Sequence, residues 1–236
     1  MESSAAILER VATTQDLAPS VNQAALTTEV DFYPVIDALV AQGYFIAEHF
    51  IPTTLCQALR TEAQQLYQQE TMQPAGIGRG QDYIQAPNIR SDLTYWLKNT
   101  TPTQKAYLDL MQQLQNTINR ELFLGLFEYE SHYACFPPQS FYATHLDAFR
   151  GRSNRVVTSI LYLNENWQAH QGGAMCLYNP QDQHQQIAQV LPESGTFVCF
   201  LSEMMPHEVS ITYRERLSIT GWFRKNASLG ISDPAF

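Results

Sequence analysis

Cysteine is scarce and scattered. Cys56, Cys135, Cys176 and Cys199 stand far apart with no C-x-x-C pair. That spacing argues against a zinc cluster or a disulfide framework, and reduced thiols in a cytoplasmic protein are expected. Positive charge is also short: 14 Lys and Arg against 23 Asp and Glu leave a formal charge of −9. A nucleic-acid or anionic-membrane partner needs a basic face, so neither is expected, although Arg150, Arg152 and Arg155 form a local basic patch. No apolar run is long enough to span a bilayer. The opening Met-Glu-Ser-Ser-Ala-Ala-Ile-Leu-Glu-Arg has neither a basic n-region nor a sustained apolar core, so no secretion signal is expected. Internal repeats and low-complexity tracts are lacking too.

What is present suits one sizeable core. The chain has 236 residues, 44% hydrophobic and 16% charged, an ordinary globular composition. Residues 1–30 are mixed and read as an arm with a short helix. Asp31–Gln42 carries apolar residues at helical spacing (Phe32, Val35, Ile36, Leu39, Val40) and ends at Gly43, a C-cap. Tyr44–Ala47 reads as a strand. Pro52-Thr53-Thr54 starts a helix whose stripe is Leu55, Ala58, Leu59, Ala63, Leu66 and Tyr67. Thr101-Pro102 starts another, with Tyr107, Leu110, Met111, Leu114, Ile118 and Leu122 on its buried face. Between them, Thr71–Arg90 is long and rich in glycine and proline, the texture of a lid or of a solvated connection.

From Phe127 the texture changes. Short β-branched and aromatic runs alternate with turn signals: Tyr133–Phe136, Val156–Leu163, Ala174–Tyr178, Ile187–Leu191, Thr196–Leu201, His207–Ile211 and Leu217–Phe223. Gly172-Gly173, Asn179-Pro180 and Glu193-Ser194-Gly195 punctuate them. The expected fold is mainly β with flanking helices, a double-stranded β-helix (jelly roll) core packed on N-terminal helices.

Three side chains in this region could bind one metal. On a strand, residues two apart share a face, so His145 and Asp147 would project together, and His207 is the candidate third ligand. Two imidazoles and a carboxylate occupy one face of an octahedron and leave the other open, the set that suits non-haem Fe(II) oxygenases. A lone H-x-D is weak. Its order raises its weight: strands, Gly172-Gly173, a His opening a strand, then an Arg on the next. A guanidinium in the apolar run Arg216-Leu-Ser-Ile-Thr-Gly-Trp-Phe is costly unless it meets an anion, whose carboxylate its planar fork would bind twice. A dicarboxylate such as 2-oxoglutarate answers both ends. A structural ion pair with one of the chain's own acids is the alternative, and Arg214 shares the parity of Arg216. His49, His132, His170 and His184 read as structural or surface residues.

Residues from about Tyr44 to Phe223 resemble the Fe(II)/2-oxoglutarate prolyl hydroxylases, especially the hypoxia-inducible-factor type and their bacterial relatives. The resemblance rests on His145-Leu-Asp147, Leu161-Tyr-Leu-Asn164 with Trp167 and Gly172-Gly173, Pro206-His-Glu-Val209, and Arg216 with Ile219-Thr220 and Trp222. It implies a single dioxygenase domain over 31–236, with His145, Asp147 and His207 as metal-binding catalytic residues. It chooses Arg216 for the 5-carboxylate of 2-oxoglutarate and adds a hydroxyl bond from Tyr162. Thr220 and Trp222 share the parity of Arg216 and should line the same pocket. Arg90, Asp92 (with Thr94 and Trp96 just beyond) and Arg155 fall in substrate-side positions, and Arg155 is placed to pair with Asp92. Phe136 falls where relatives often have a tyrosine on the co-substrate. Tyr142 has a parity that puts it off the ligand face.

The resemblance also implies the activity. Fe(II) and 2-oxoglutarate would be cofactors, O₂ a co-substrate and ascorbate a stimulant, and a prolyl residue in a protein would be hydroxylated with release of succinate and CO₂. In a bacterial source, elongation factor Tu is the first target to test. The alternatives are an oxygenase for a free amino acid or other small molecule, and a non-enzymatic jelly-roll module with a relic site. Oligomeric state is left open.

Overall fold

The computed structural model describes residues 29–76, 86–148 and 153–226. Most of the arm at 1–30 therefore lies outside the described residues, as do 77–85 of the glycine-rich stretch and Arg150 and Arg152 of the basic patch. Three helices form where the apolar spacing predicts them: α1 (Tyr33–Gln42), α2 (Thr53–Gln68) and α3 (Pro102–Leu122). Helix α1 buries Val35, Ile36 and Leu39 on one face. It stops at Gly43, whose φ of 83° lets its N–H return to the Leu39 carbonyl. Helix α3 starts on Thr101, whose hydroxyl oxygen accepts from Gln104 N at 3.1 Å. That hydroxyl also donates to Glu62 of α2 (2.7 Å), and Gln104 Nε2 donates to the same carboxylate (2.6 Å), so the cap ties the two helices together.

Eleven strands follow the chain among the described residues: β1 (Tyr44–Ala47), β2 (Gln73–Pro74), β3 (Leu93–Trp96), β4 (Leu126–Phe136), β5 (Tyr142–His145), β6 (Arg155–Tyr162), β7 (Met175–Asn179), β8 (Asp182–Val190), β9 (Phe197–Leu201), β10 (His207–Val209) and β11 (Arg216–Lys225). They make a seven-stranded sheet in the order β1-β9-β6-β11-β4-β3-β2 and a four-stranded sheet in the order β5-β10-β7-β8. Neighbours run antiparallel throughout. This is the jelly roll that the strand spacing predicts.

Strand alternation decides what each face of the larger sheet does. On β11, Leu217, Ile219 and Phe223 join the core shared with the three helices. The intervening residues Arg216, Ser218, Thr220 and Trp222 face the other way. On that side Ile160, Tyr162, Val198 and Phe200 pack against Met175, Leu177 and Val190 of the smaller sheet. Gly221 is required at its position: a Cβ there would lie 2.2 Å from the Tyr129 hydroxyl. That hydroxyl is held between Tyr107 and Ser159, each at 2.9 Å.

Several boundaries differ from the sequence pattern. Strand β4 begins at Leu126 rather than Tyr133, and β8 at Asp182 rather than Ile187, while β10 ends at Val209 rather than Ile211. Residues 182–186 are exposed on the outer edge of the smaller sheet, so nothing there selects apolar side chains. All four cysteines are free and buried. Among the described residues no helix is long and apolar enough to cross a membrane.

Candidate metal centre and co-substrate pocket

Register brings the two histidines together. Strands β5 and β10 pair so that His145 stands directly opposite His207, and their ring centroids are 4.3 Å apart. Each ring is oriented by the carbonyl two residues before it: His145 Nδ1 donates to Ala143 O at 2.8 Å, and His207 Nδ1 to Met205 O at 2.9 Å. With Nδ1 carrying the proton, each Nε2 presents its lone pair. Asp147 completes the group. Its Oδ1 lies 3.7 Å from His145 Nε2 and its Oδ2 3.7 Å from His207 Nε2. The three ligand atoms lie within 4.8 Å of one another. These gaps exceed a hydrogen bond and are short enough for one ion to span.

Strand parity alone does not account for this convergence. Strand β5 ends at His145, and Asp147 lies in the turn beyond it. What aims the carboxylate is Thr158 on β6, whose hydroxyl donates to Asp147 Oδ2 at 2.8 Å and contacts the Ser202 hydroxyl at 2.9 Å. Neither Thr158 nor Ser202 stands out in the sequence. The available signal is that Thr158 shares the parity of Tyr162 on one strand. Burial, with the neighbouring His207, pushes His145 down to about 3, so its ring is neutral. Burial pushes Asp147 up, but the two imidazoles, Arg155 and the Thr158 hydroxyl outweigh it, and the carboxyl sits below its ordinary range. Neutral imidazole and ionised carboxylate are the forms a metal requires.

The larger sheet holds a candidate anion site. Arg216 is 2% exposed and forms no ion pair with any described residue, so no described acid accounts for it. Its Nε donates to Gly173 O at 2.8 Å and one terminal nitrogen to Ser218 Oγ at 3.4 Å. The guanidinium carbon lies 4.9 Å from the ring centres of both Phe136 and Tyr162. The Tyr162 hydroxyl is buried beside the guanidinium and has no well-formed hydrogen bond among the described residues. A buried cation with no counter-charge among the described residues, beside a buried phenol, fits a carboxylate guest. Gly173 makes room for it: with φ at 68°, a Cβ there would press on Arg216 Cδ at 3.1 Å. Arg214 is occupied elsewhere, bonded to Glu165 O and Gln171 and stacked near Trp167. Ser218, two residues past Arg216 on the same face, is a pocket residue that apolar patterning hides.

Trp222 sits at the opposite end of this strand face, roughly 20 Å from Arg216 at strand rise. It pairs in register with Thr158 and so stands by the metal-ligand end, with half-buried Thr220 between, opposite Ile160 and His132. The Arg155 guanidinium covers the Trp222 ring at 3.4 Å, and His132 and Trp96 complete an aromatic wall.

The expected Arg155–Asp92 pair does not form. Arg155 bonds Glu130 (3.0 and 2.9 Å), while Asp92, 2% exposed, receives a two-pronged bond from Arg90 (2.8 and 2.6 Å). Strand β4 places Glu130 nearer, and Arg90 is only two residues from Asp92. Tyr142 also departs from its parity. A register shift in the β5–β10 pairing accompanies a Tyr142 ring stacked on His145, with centroids 3.6 Å apart and planes 15° from parallel.

Known proteins share this architecture. Residues 131–224 match the family model of the 2OG-Fe(II) oxygenase superfamily. Human Egl nine homolog 1 is 29% identical over 143 residues, covering 58% of this chain, and the chain spans 33% of that protein's length. The crystal structure of a Pseudomonas putida prolyl-4-hydroxylase superposes with a TM-score of 0.74 at 39% identity, covering 81% of this chain and 97% of that one. A Trichoplax adhaerens prolyl hydroxylase, solved with a peptide fragment of the hypoxia-inducible-factor oxygen degradation domain, shares the fold at TM-score 0.74 and 23% identity, covering 81% and 88%. With these similarities and the His145, Asp147 and His207 group, the chain belongs to the 2OG-Fe(II) oxygenase superfamily, among its prolyl hydroxylases.

Proposed function

We propose that this protein hydroxylates a prolyl residue within a protein substrate, with Fe(II) and 2-oxoglutarate as cofactors and O₂ as co-substrate. The observation that carries the reading is the buried Arg216, which forms no ion pair among the described residues and lies beside Tyr162 on the larger sheet, across from the smaller sheet that bears His145 and His207. His145, Asp147 and His207 would hold the iron, and Arg216 and Tyr162 the far carboxylate of 2-oxoglutarate. Bound there, the pair would supply the oxidation: O₂ would take two electrons from decarboxylation of the keto acid to succinate and CO₂ and two from a C–H bond, which would gain one oxygen atom.

The chain's own residues then have defined tasks. Thr158 fixes the carboxylate of Asp147, and the backbone carbonyls of Ala143 and Met205 hold the imidazoles in one tautomer. Apolar residues between the sheets keep water from the centre. The wall of Trp222, His132 and Trp96, with Arg155 over Trp222, lies beside the metal ligands and suits a peptide segment presenting a proline. The bacterial enzyme at 39% identity is a prolyl-4-hydroxylase, which favours carbon 4; for a bacterial source, elongation factor Tu is the first substrate to try.

The test combines purified protein, Fe(II), 2-oxoglutarate and elongation factor Tu, with mass spectrometry for a one-oxygen gain on proline. Proteomes with and without the gene widen the search. A gain that needs Fe(II) and is lost in His145→Ala supports the proposal. Succinate release unchanged in His145→Ala refutes the metal assignment. Coupled turnover on a free amino acid, with none on proteins, moves the function to a small-molecule oxygenase.

A further inference from the structure

His145 has a support on its flank that a three-ligand pattern does not require. The Tyr142 ring lies flat against it at 3.6 Å. The Arg90 guanidinium lies over the same phenol ring at 4.3 Å. One face of a ring cannot hold both groups, so Tyr142 is covered by the imidazole on one side and the cation on the other. Arg90 is itself immobilised. Its fork grips the buried carboxylate of Asp92, and its remaining terminal nitrogen donates to Gly76 O at 3.3 Å. The backbone around it is tied to β5: Arg90 bridges to Tyr142, Ala143 N donates to Ile89 O at 2.8 Å, and Ser91 N to Phe141 O at 3.2 Å. Side chain and main chain thus fasten the same short segment to the strand that ends in His145.

We propose that Tyr142, backed by Arg90 and Asp92, is a positioning residue for the candidate ligand His145. The Ala143 carbonyl selects which nitrogen faces the metal, and the Tyr142 face fixes the rotation of the ring about its side-chain bond. Two contacts at different angles hold an imidazole that one hydrogen bond leaves free to swing. Arg90 and Asp92, placed by their sequence context beside the substrate, act through Tyr142 on the metal centre. This inference rests on the reading of His145 as a ligand.

The experiment titrates the metal-free protein with Co(II), following the visible absorption of the bound ion and the dissociation constant. Tyr142→Phe keeps the stacking face and is expected to match the unchanged protein in both readouts. Tyr142→Leu removes it and is expected to weaken Co(II) binding about 10- to 100-fold and to alter the absorption spectrum. Replacing Arg90 alone strands the Asp92 carboxylate and can stop the chain folding, so the paired variant Arg90→Met with Asp92→Leu is used. It should weaken Co(II) binding in the same direction as Tyr142→Leu, and melting curves confirm that each variant folds. The inference is overturned if Tyr142→Leu binds Co(II) as tightly as the unchanged protein with the same spectrum, or if Tyr142→Phe loses as much as Tyr142→Leu. His145→Ala separates the two readings. If it leaves Co(II) binding intact, the metal assignment itself fails; if it abolishes binding while Tyr142→Leu does not, only the positioning role fails.

Discussion

Replacing Arg216 with methionine should move stability and co-substrate binding in different directions. Without a guest, the guanidinium is 2% exposed and is held by one carbonyl and one long contact to a hydroxyl. Burial pushes its pKa below the ordinary arginine value. An apolar chain of similar volume removes the desolvation cost of a buried charge that no ion pair with a described residue offsets. The metal-free, ligand-free Arg216→Met protein should therefore melt no lower than the parent. Its binding of 2-oxoglutarate should collapse, because truncating one partner of a buried, hydrogen-bonded charge pair costs about 2–5 kcal/mol, or roughly 30-fold to several-thousand-fold. Thermal melts with and without 2-oxoglutarate, in the presence of Mn(II), read both effects. A ligand at about 100 times its dissociation constant stabilises by about 2.7 kcal/mol, which is roughly 5–10 °C for a chain of this size. The parent should show that gain and the variant should not. A ligand-free variant that melts far below the parent yet keeps the 2-oxoglutarate shift would show a structural arginine and sink the pocket assignment.

Other perturbations address the rest of the site. Thr158→Val should loosen metal binding about tenfold or more while Thr158→Ser keeps it, as read by metal titration, because only the hydroxyl aims Asp147. In the metal-free protein His145 and His132 both sit at about 3, lowered by burial from 6.5. The unfolded chain then binds more protons between these values, so stability should fall as pH drops from about 6 toward 3. The slope is about 1.4 kcal/mol per pH unit for each histidine, and denaturant melts at pH 7, 6 and 5 would contradict this if they coincide. Gly221→Ala should destabilise by about 1–3 kcal/mol, since the new methyl meets the Tyr129 hydroxyl, and a denaturant midpoint equal to the parent's would refute that packing.

Where one physical requirement dominates, residue order suffices to find the element. Helices α1 to α3 each bury one stripe against a sheet, so their spacing is plain. Strand β11 is also legible, because Leu217, Ile219 and Phe223 must meet the helices while Arg216 must not. His207 and Arg216 follow from the order of strands. The features that escape are set by partners distant in sequence. Strand residues 182–186 are polar because the edge they form faces water. Asp147 reaches the metal from a turn, drawn by Thr158 eleven positions on. Tyr142 turns toward His145 where the pairing shifts register, which parity counting cannot anticipate. Arg155 finds Glu130 rather than Asp92 because β4 lies nearer. Fold and ligands are thus matters of periodicity and order, while the groups that aim those ligands are matters of three-dimensional proximity.

The candidate metal ligands and the candidate anion site belong to different sheets. His145 and His207 stand on the four-stranded sheet, and Arg216 and Tyr162 on the seven-stranded one. A dicarboxylate that reached from a metal on the first to the guanidinium of the second would therefore be a reversible cross-link through the sandwich. Its level would set how readily the two halves part, so protease resistance and amide exchange in both sheets would follow the supply of the keto acid.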